Sequence, residues 1–179
     1  MIVFDLDYTL WPEWIDSTYG PPYVYNEKSN TVVNRQNEVL GYFKTTTTIM
    51  TLIKSFPDTK IGIASKSSTP IWAKKALGRL RIPELDTTLL ELADFIEIYP
   101  KSKLNHFKAL SEQSGIDCSE MLFFDDEGGN REVTSLGVHF VLVDPRVGIT
   151  LHQFENALHQ YVKKSEFKQA KLDSYFEVQ

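Results

Sequence analysis

Two pairs of carboxylates are the residues of this sequence best placed to do chemistry. Asp5 and Asp7 follow the short apolar run Ile2-Val3-Phe4, and Asp125 and Asp126 follow Met121-Leu122-Phe123-Phe124. Both runs read as buried strands, being short, apolar and rich in β-branched or aromatic residues. In an extended backbone Asp5 and Asp7 project from the same side, whereas the adjacent Asp125 and Asp126 project from opposite sides. A carboxylate where a buried strand ends is costly unless a cation pairs with it. Mg²⁺ is the natural candidate, because hard oxygen ligands suit it. Asp5 can then attack a phosphoryl group as a carboxylate nucleophile, giving an aspartyl-phosphate. Asp7 can protonate the departing oxygen and later activate water. Thr9 can hold a carboxylate or the turn by hydrogen bonding. Alone, Asp-x-Asp is common by chance, and a solvated turn or a helix cap accounts for it equally well.

More strand ends carry polar groups. Ile61-Gly-Ile-Ala64 reads as a second buried strand with Ser65 at its carboxyl end, and Lys66 beside it is either an anion-steering group or a solvated lysine. Phe95 to Tyr99 alternates as a third strand, ended by Pro100. Lys101-Ser102-Lys103 then opens a helix over Leu104–Ser114, with Ser102 as its N-cap. Lysine at a helix N-terminus opposes the macrodipole and asks for a compensating anion, for which a phosphate beside Asp5 would serve. His106 falls on the following turn and reads as a partly buried structural histidine. His139 to Val143 is the fifth strand.

The elements between these strands define the scaffold. Thr45–Phe56, capped by a threonine, Pro70–Leu80, Leu85–Asp94, Glu132–Leu136, with Asn130 as N-cap, and Leu151–Lys163 read as helices. Strands alternating with helices predict an α/β fold, and ligands in such sheets sit outside the carboxyl ends of the strands. Residues 11–44 lack helical periodicity; Tyr23–Tyr25 and Thr31–Val33 suggest a hairpin, and Val39–Phe43 a further strand. So short a stretch has little room for helices of ~11 residues, so a small flap is expected and no large cap.

The run Asp5-Leu6-Asp7-Tyr8-Thr9-Leu10 resembles the first motif of the haloacid dehalogenase (HAD) superfamily, Asp-x-Asp-x-Thr after a strand. Trp11-Pro12, Trp14 and Asp16 narrow the resemblance to the small eukaryotic magnesium-dependent phosphatases, the magnesium-dependent phosphatase 1 family. The resemblance extends from Ile2 to Asp144 and implies a Rossmann-like, HAD-like three-layer α/β/α sandwich around a mainly parallel five-stranded sheet. It implies Asp5, Asp7 and Lys103 as catalytic residues, with Lys101 as the fallback for Lys103. Phosphate contacts would come from Leu6, Thr9, Ser65, Lys66 and Lys103. Mg²⁺ would be held by Asp5, Asp7 and Asp125, with Asp126 acting through water. The family carries a larger polar residue where Gly129 stands, a departure that bears on substrate contact. The implied activity is hydrolysis of phosphomonoesters, on protein phosphotyrosine or small sugar phosphates of the fructosamine-6-phosphate kind.

Composition bounds these readings. At 179 residues one domain is expected, residues 1–164, with a tail over 165–179. With 19 basic against 24 acidic residues the formal charge is −5, which argues against nucleic acid or an anionic membrane as partner. No apolar run approaches the ~20 residues that span a bilayer, and the chain enters a strand with no leader-like segment, so a cytoplasmic or nuclear monomer is expected. The one cysteine, Cys118, excludes an intrachain disulfide. Two competing classes remain. A receiver-type phosphoacceptor domain places its acceptor Asp after the third strand, where this chain has Tyr99-Pro100. A non-catalytic phosphate-binding protein would have no need of Asp5, Asp7, Lys103 and Asp125 together.

Overall fold

Three of the apolar runs are buried on both faces, and that burial decides the architecture. In the computed structural model, which describes residues 1–162, Ile2–Phe4 (β1), Ile61–Ser65 (β5) and Leu122–Asp125 (β9) are buried along their whole length. Strands covered on both sides belong to parallel sheets flanked by helices. They join Phe95–Ile98 (β8) and His139–Leu142 (β10) in one five-stranded sheet of order β10-β9-β1-β5-β8, with every pairing parallel. Taken along the chain, β1, β5 and β8 run one way across the sheet, then β9 and β10 fill the other side. The direction reverses between β1 and β9, so the crevice beyond their carboxyl ends is where such sheets bind ligands.

Alternation along each strand supplies two cores. Ile2, Phe4, Ile61, Ile63, Leu122 and Phe124 face one side, against helices Thr46–Lys54 (α1) and Pro70–Leu77 (α2) and Phe154 of the helix spanning 151–162 (α5). Val3, Ala64 and Phe123 face the other, against Phe107 and Leu110 of helix Lys103–Ser114 (α4) and Val133 of the 3-10 helix Gly128–Leu136. Each fully buried apolar side chain of this size contributes about 1.5–3 kcal/mol. The α/β/α sandwich is therefore observed. The last residue of the expected helix Leu151–Lys163, the end of the expected domain at 164 and all of the expected tail over 165–179 lie outside the described residues.

The flap is a separate three-stranded antiparallel sheet of Val24–Asn26 (β2), Thr31–Val33 (β3) and Val39–Gly41 (β4). Val32 and Leu40 pack inward, and no helical cap is inserted among these residues. At its tip the Asn30 side chain pairs with the backbone of Arg81, donating to the carbonyl at 3.0 Å and accepting from the N–H at 3.0 Å.

Local details depart from the sequence expectations. Neither threonine caps α1: Thr45 donates its hydroxyl to the Ile149 carbonyl, and Thr46 to the Leu10 carbonyl at 3.0 Å. Helix α2 stops at Leu77, because Arg81–Ile82 (β6) and Thr87–Thr88 (β7) form a two-stranded ribbon. The expected helix over Leu85–Asp94 is thereby reduced to Leu89–Leu92 (α3), started by a Thr88/Glu91 capping box. Asp94 caps β5 from outside, accepting from Ile61 N–H and Lys60 at 2.9 Å each.

Candidate active site

The turn after β1 builds the site floor. The Leu6 carbonyl accepts from the backbone of Thr9, Leu10 and Trp11, which curls the chain back at once, and Tyr8 takes φ 53°. A left-handed non-glycine residue is costly and survives where its surroundings over-determine it. Here Tyr8 packs edge-on against Trp14 at 5.5 Å, and the Trp11 indole donates to Asp7 Oδ1 at 2.7 Å. Thr9 departs from expectation: its hydroxyl is buried without a hydrogen-bond partner, and its backbone does the work by accepting from Ile149 N–H at 3.1 Å.

Lys103, at the first turn of α4, enters this floor fully buried. Its ammonium donates to Asp5 Oδ1 at 2.6 Å and lies 3.0 Å from Asp125 Oδ2, with the Ala64 carbonyl as a third acceptor. Burial alone would lower its pKa; Asp5 and Asp125 outweigh that and hold the lysine protonated. The fallback, Lys101, lies outside this group, 5.9 Å over the Tyr99 ring. Ser102 caps α4 as expected, accepting from Leu104 N–H at 3.1 Å. His106 is structural: its ring stacks on Tyr99 and its nitrogens face the carbonyls of Ser102, Ser65 and Tyr99.

The two aspartates after β9 have opposite surroundings, as their alternation predicts. Asp125 is fully buried, and both oxygens are occupied by Asn130 Nδ2 at 3.0 and 2.9 Å, Glu127 N–H at 2.7 Å and Lys103. Asp126 instead lines a cleft of about 250 Å³ together with Asp5, Asp7, Ser65, Lys66 and Lys103. Asn130, expected as a helix cap, is thus the anchor of Asp125, and it also accepts from Lys66 at 3.2 Å. Lys66 further pairs with Glu127 at 3.3 Å, and its side chain remains 43% exposed at the rim of the cleft. A Cβ added at Gly129 meets nothing within 4 Å, so the family's larger side chain would fit there without collision.

The cleft is lined by five carboxylates, Asp5, Asp7, Asp16, Asp126 and Glu127, against two ammonium groups, Lys66 and Lys103, so the site is short of positive charge. Burial pushes Asp5 well above the carboxylate range; Lys103 opposes the push, and Asp125 and Asp7 reinforce it. Asp7 is raised to about 6 by burial, against the Trp11 hydrogen bond. Asp126 is raised to about 6 by burial and then by Asp125. Such a donor set fits a hard divalent cation. Among the described residues no three His, Cys, Asp or Glu side chains already stand together as a cage. Trp11 holds the Asp7 carboxylate, and Asn130 and Lys103 occupy that of Asp125. Mg²⁺ needs no such cage, because one or two carboxylates with water and substrate phosphate suffice.

Comparison with known proteins gives the chain its family and its fold relatives. A family model described as acid phosphatase matches residues 1–164. A HAD-like hydrolase superfamily protein of Schizosaccharomyces pombe is 37% identical over 144 residues, covering 78% of this chain and 83% of that protein. Magnesium-dependent phosphatase 1 of Homo sapiens is 31% identical over 172 residues, covering 91% of this chain and 87% of its own. In fold, a crystal structure of the N-terminal part of a Bacteroides fragilis protein containing a phosphatase domain, complexed with Mg, superposes with a TM-score of 0.59. The two are 19% identical, and the match covers 87% of this chain and 39% of that one.

Proposed function

The chain belongs to the acid phosphatase family of HAD-type hydrolases, and from that premise we propose that it is a Mg²⁺-dependent phosphomonoesterase working through an aspartyl-phosphate on Asp5. The observation that carries the proposal is the buried Lys103 ammonium, 2.6 Å from Asp5 Oδ1 and 3.0 Å from Asp125 Oδ2, at the reversal point of the sheet. Lys103 occupies one oxygen of Asp5, and Oδ2 is the atom left to attack phosphorus. Asp7, raised to about 6, carries the proton that the departing oxygen needs and afterwards takes one from the attacking water. Ser65 and the backbone N–H of Leu6 hold the phosphoryl oxygens, and the Lys103 ammonium, its three hydrogens given to Asp5, Asp125 and Ala64, acts on them through its charge. Lys66 steers the anion in, and Thr9 acts through its backbone by fixing the turn.

Asp5 and Asp126 are the carboxylates we assign to direct contact with Mg²⁺, in place of the Asp125 contact expected from the sequence, and Asp7 completes the cation's surroundings. Bound Mg²⁺ supplies charge neutralisation for the phosphoryl group as it moves. Asp125 orients Lys103 and the loop carrying Asp126. Hydrogen-bond saturation supports this division, since a further bond to Asp125 would displace Asn130 or Lys103.

Among the described residues no α-helix is inserted between β1 and α1 over the cleft, which suits phosphotyrosine on a polypeptide as well as small sugar phosphates of the fructosamine-6-phosphate type. We take residues 1–164 as one domain, supported by the span of the family match, and the protein as a cytoplasmic or nuclear monomer. No helix among the described residues is long and apolar enough to cross a membrane. Release of p-nitrophenol from its phosphate ester, abolished by EDTA and restored by Mg²⁺, tests the activity. Full turnover after chelation refutes the metal, and no turnover in Mg²⁺ favours the phosphate-binding alternative. A screen of phosphomonoesters by kcat/KM then separates the substrate classes.

A further inference from the structure

Two acidic side chains at the cleft are used by none of these steps, Asp16 and Glu127, and Glu127 is taken up by Lys66 and Asn130. Asp16 lines the cleft on the segment leading into the flap, yet its carboxylate is already committed. Oδ1 accepts from the hydroxyls of Ser67 and of Thr69, the latter at 2.7 Å. Oδ2 accepts from the Ser68 backbone N–H and the Ser68 hydroxyl, at 2.8 Å each. Three consecutive residues thus send four hydrogen bonds to one carboxylate across more than 50 positions of sequence. Charge-assisted bonds of this kind are the strong ones. The donors outweigh the effect of burial and keep the carboxyl below the ordinary carboxylate range.

Both ends of this link matter to the cleft. Ser67 to Thr69 directly follow Ser65 and Lys66, and Ser67 N–H donates to Ser65 Oγ at 3.2 Å. Asp16 in turn stands in sequence between Trp14 and Ser17, which also line the cleft. Trp14 is 57% exposed, and its ring has one aromatic neighbour, Tyr8. Buried Ile15 anchors the turn to the core.

We propose that Asp16 is a positioning residue that latches the Trp14–Ser17 turn onto the loop after Ser65, and that the fixed Trp14 face is the specificity wall for the leaving group of the ester. The wall favours flat aromatic leaving groups, which stack on an indole held in one orientation. It rests on the phosphatase reading above, and concerns the leaving-group half of the cleft alone. With both oxygens occupied, Asp16 neither ligates the metal nor transfers a proton. The phosphoryl half, built from Asp5, Ser65 and Lys103, keeps its own anchors when the latch is removed.

The test compares wild type, Asp16→Ala, Trp14→Ala and the double variant, using p-nitrophenyl phosphate as substrate and inorganic phosphate as competitive inhibitor. Asp16→Ala and Trp14→Ala should each raise the KM of the aryl ester about fivefold, and together no more than either alone. The inhibition constant of phosphate and the Mg²⁺ concentration for half activity should stay within about twofold. Should Asp16→Ala fail to fold by circular dichroism, the donor-side variant Ser68→Ala/Thr69→Val must reproduce the aryl-specific rise. Equal weakening of aryl ester and phosphate, additive effects, or an unchanged KM in these variants overturns the latch while leaving the phosphatase reading in place. A wild-type chain inactive on every ester overturns both.

Discussion

Replacing Lys103 by Met removes the one ammonium between Asp5 and Asp125 while keeping the length and much of the volume of the side chain. The lysine and Asp125 side chains are wholly buried and that of Asp5 is 10% exposed, so water cannot take over the lost contacts. Removing one partner of such a buried pair costs about 3–5 kcal/mol, because the carboxylates left behind are unpaired. Against a total stability of about 5–15 kcal/mol, the loss is large but leaves a measurable folded state. The sign of its pH dependence follows from Asp5. Without Lys103 its folded pKa rises further above the unfolded value, so proton uptake favours the fold as pH falls, and the deficit relative to wild type should shrink between about pH 7 and about pH 5. Urea unfolding in EDTA at both pH values measures it, and Asp5→Asn added to Lys103→Met should recover part of the loss. A cost below about 1 kcal/mol at pH 7, or one independent of pH, would refute the description of Lys103 as a buried, charged keystone.

Other outcomes follow from the same geometry. Asp126→Ala should raise the Mg²⁺ concentration for half activity more than Asn130→Ala does, the latter by about tenfold because it only orients Asp125 and its loop; a titration of activity with Mg²⁺ ranks the two. Asp94→Asn should cost about 1 kcal/mol at neutral pH. Because hydrogen bonds from Ile61 and Lys60 overcome burial to hold Asp94 below its ordinary value, its contribution is present above about pH 4 and fades as pH falls through the folded pKa. Wild type and Asp94→Asn should therefore converge in urea midpoint toward about pH 3.

Parallel strands buried on both faces leave a plain trace in sequence, which is why β1, β5, β9 and the polar residues at their ends were legible at once. Lys103 was separable from Lys101 by resemblance alone; the burial that distinguishes them is a tertiary property. The division between Asp125 and Asp126 was not legible, since it depends on which side of β9 meets Asn130 and Lys103. Alternation stated that the two differ without stating which faces the cleft. The ribbon of β6 and β7 escaped because two-residue strands are shorter than any period, and the Thr88/Glu91 box behind them sat inside an apparent helix. A threonine of the Thr45–Thr48 run read locally as a helix cap, and Asp16 carried no local signal beyond the family resemblance. Thr45, Thr46 and Asp16 each bond instead to a segment 36 or more positions away, and no local pattern encodes that.

The covalent step on Asp5 is the centre of the account, and acid quenching during turnover of a phosphomonoester in Mg²⁺ addresses it directly. Peptide mass spectrometry of the quenched protein should find one phosphoryl group, on the peptide containing Asp5, labile to hydroxylamine and absent from Asp5→Asn. Phosphate on another residue, or steady turnover by Asp5→Asn, would contradict the assignment of Asp5 as nucleophile.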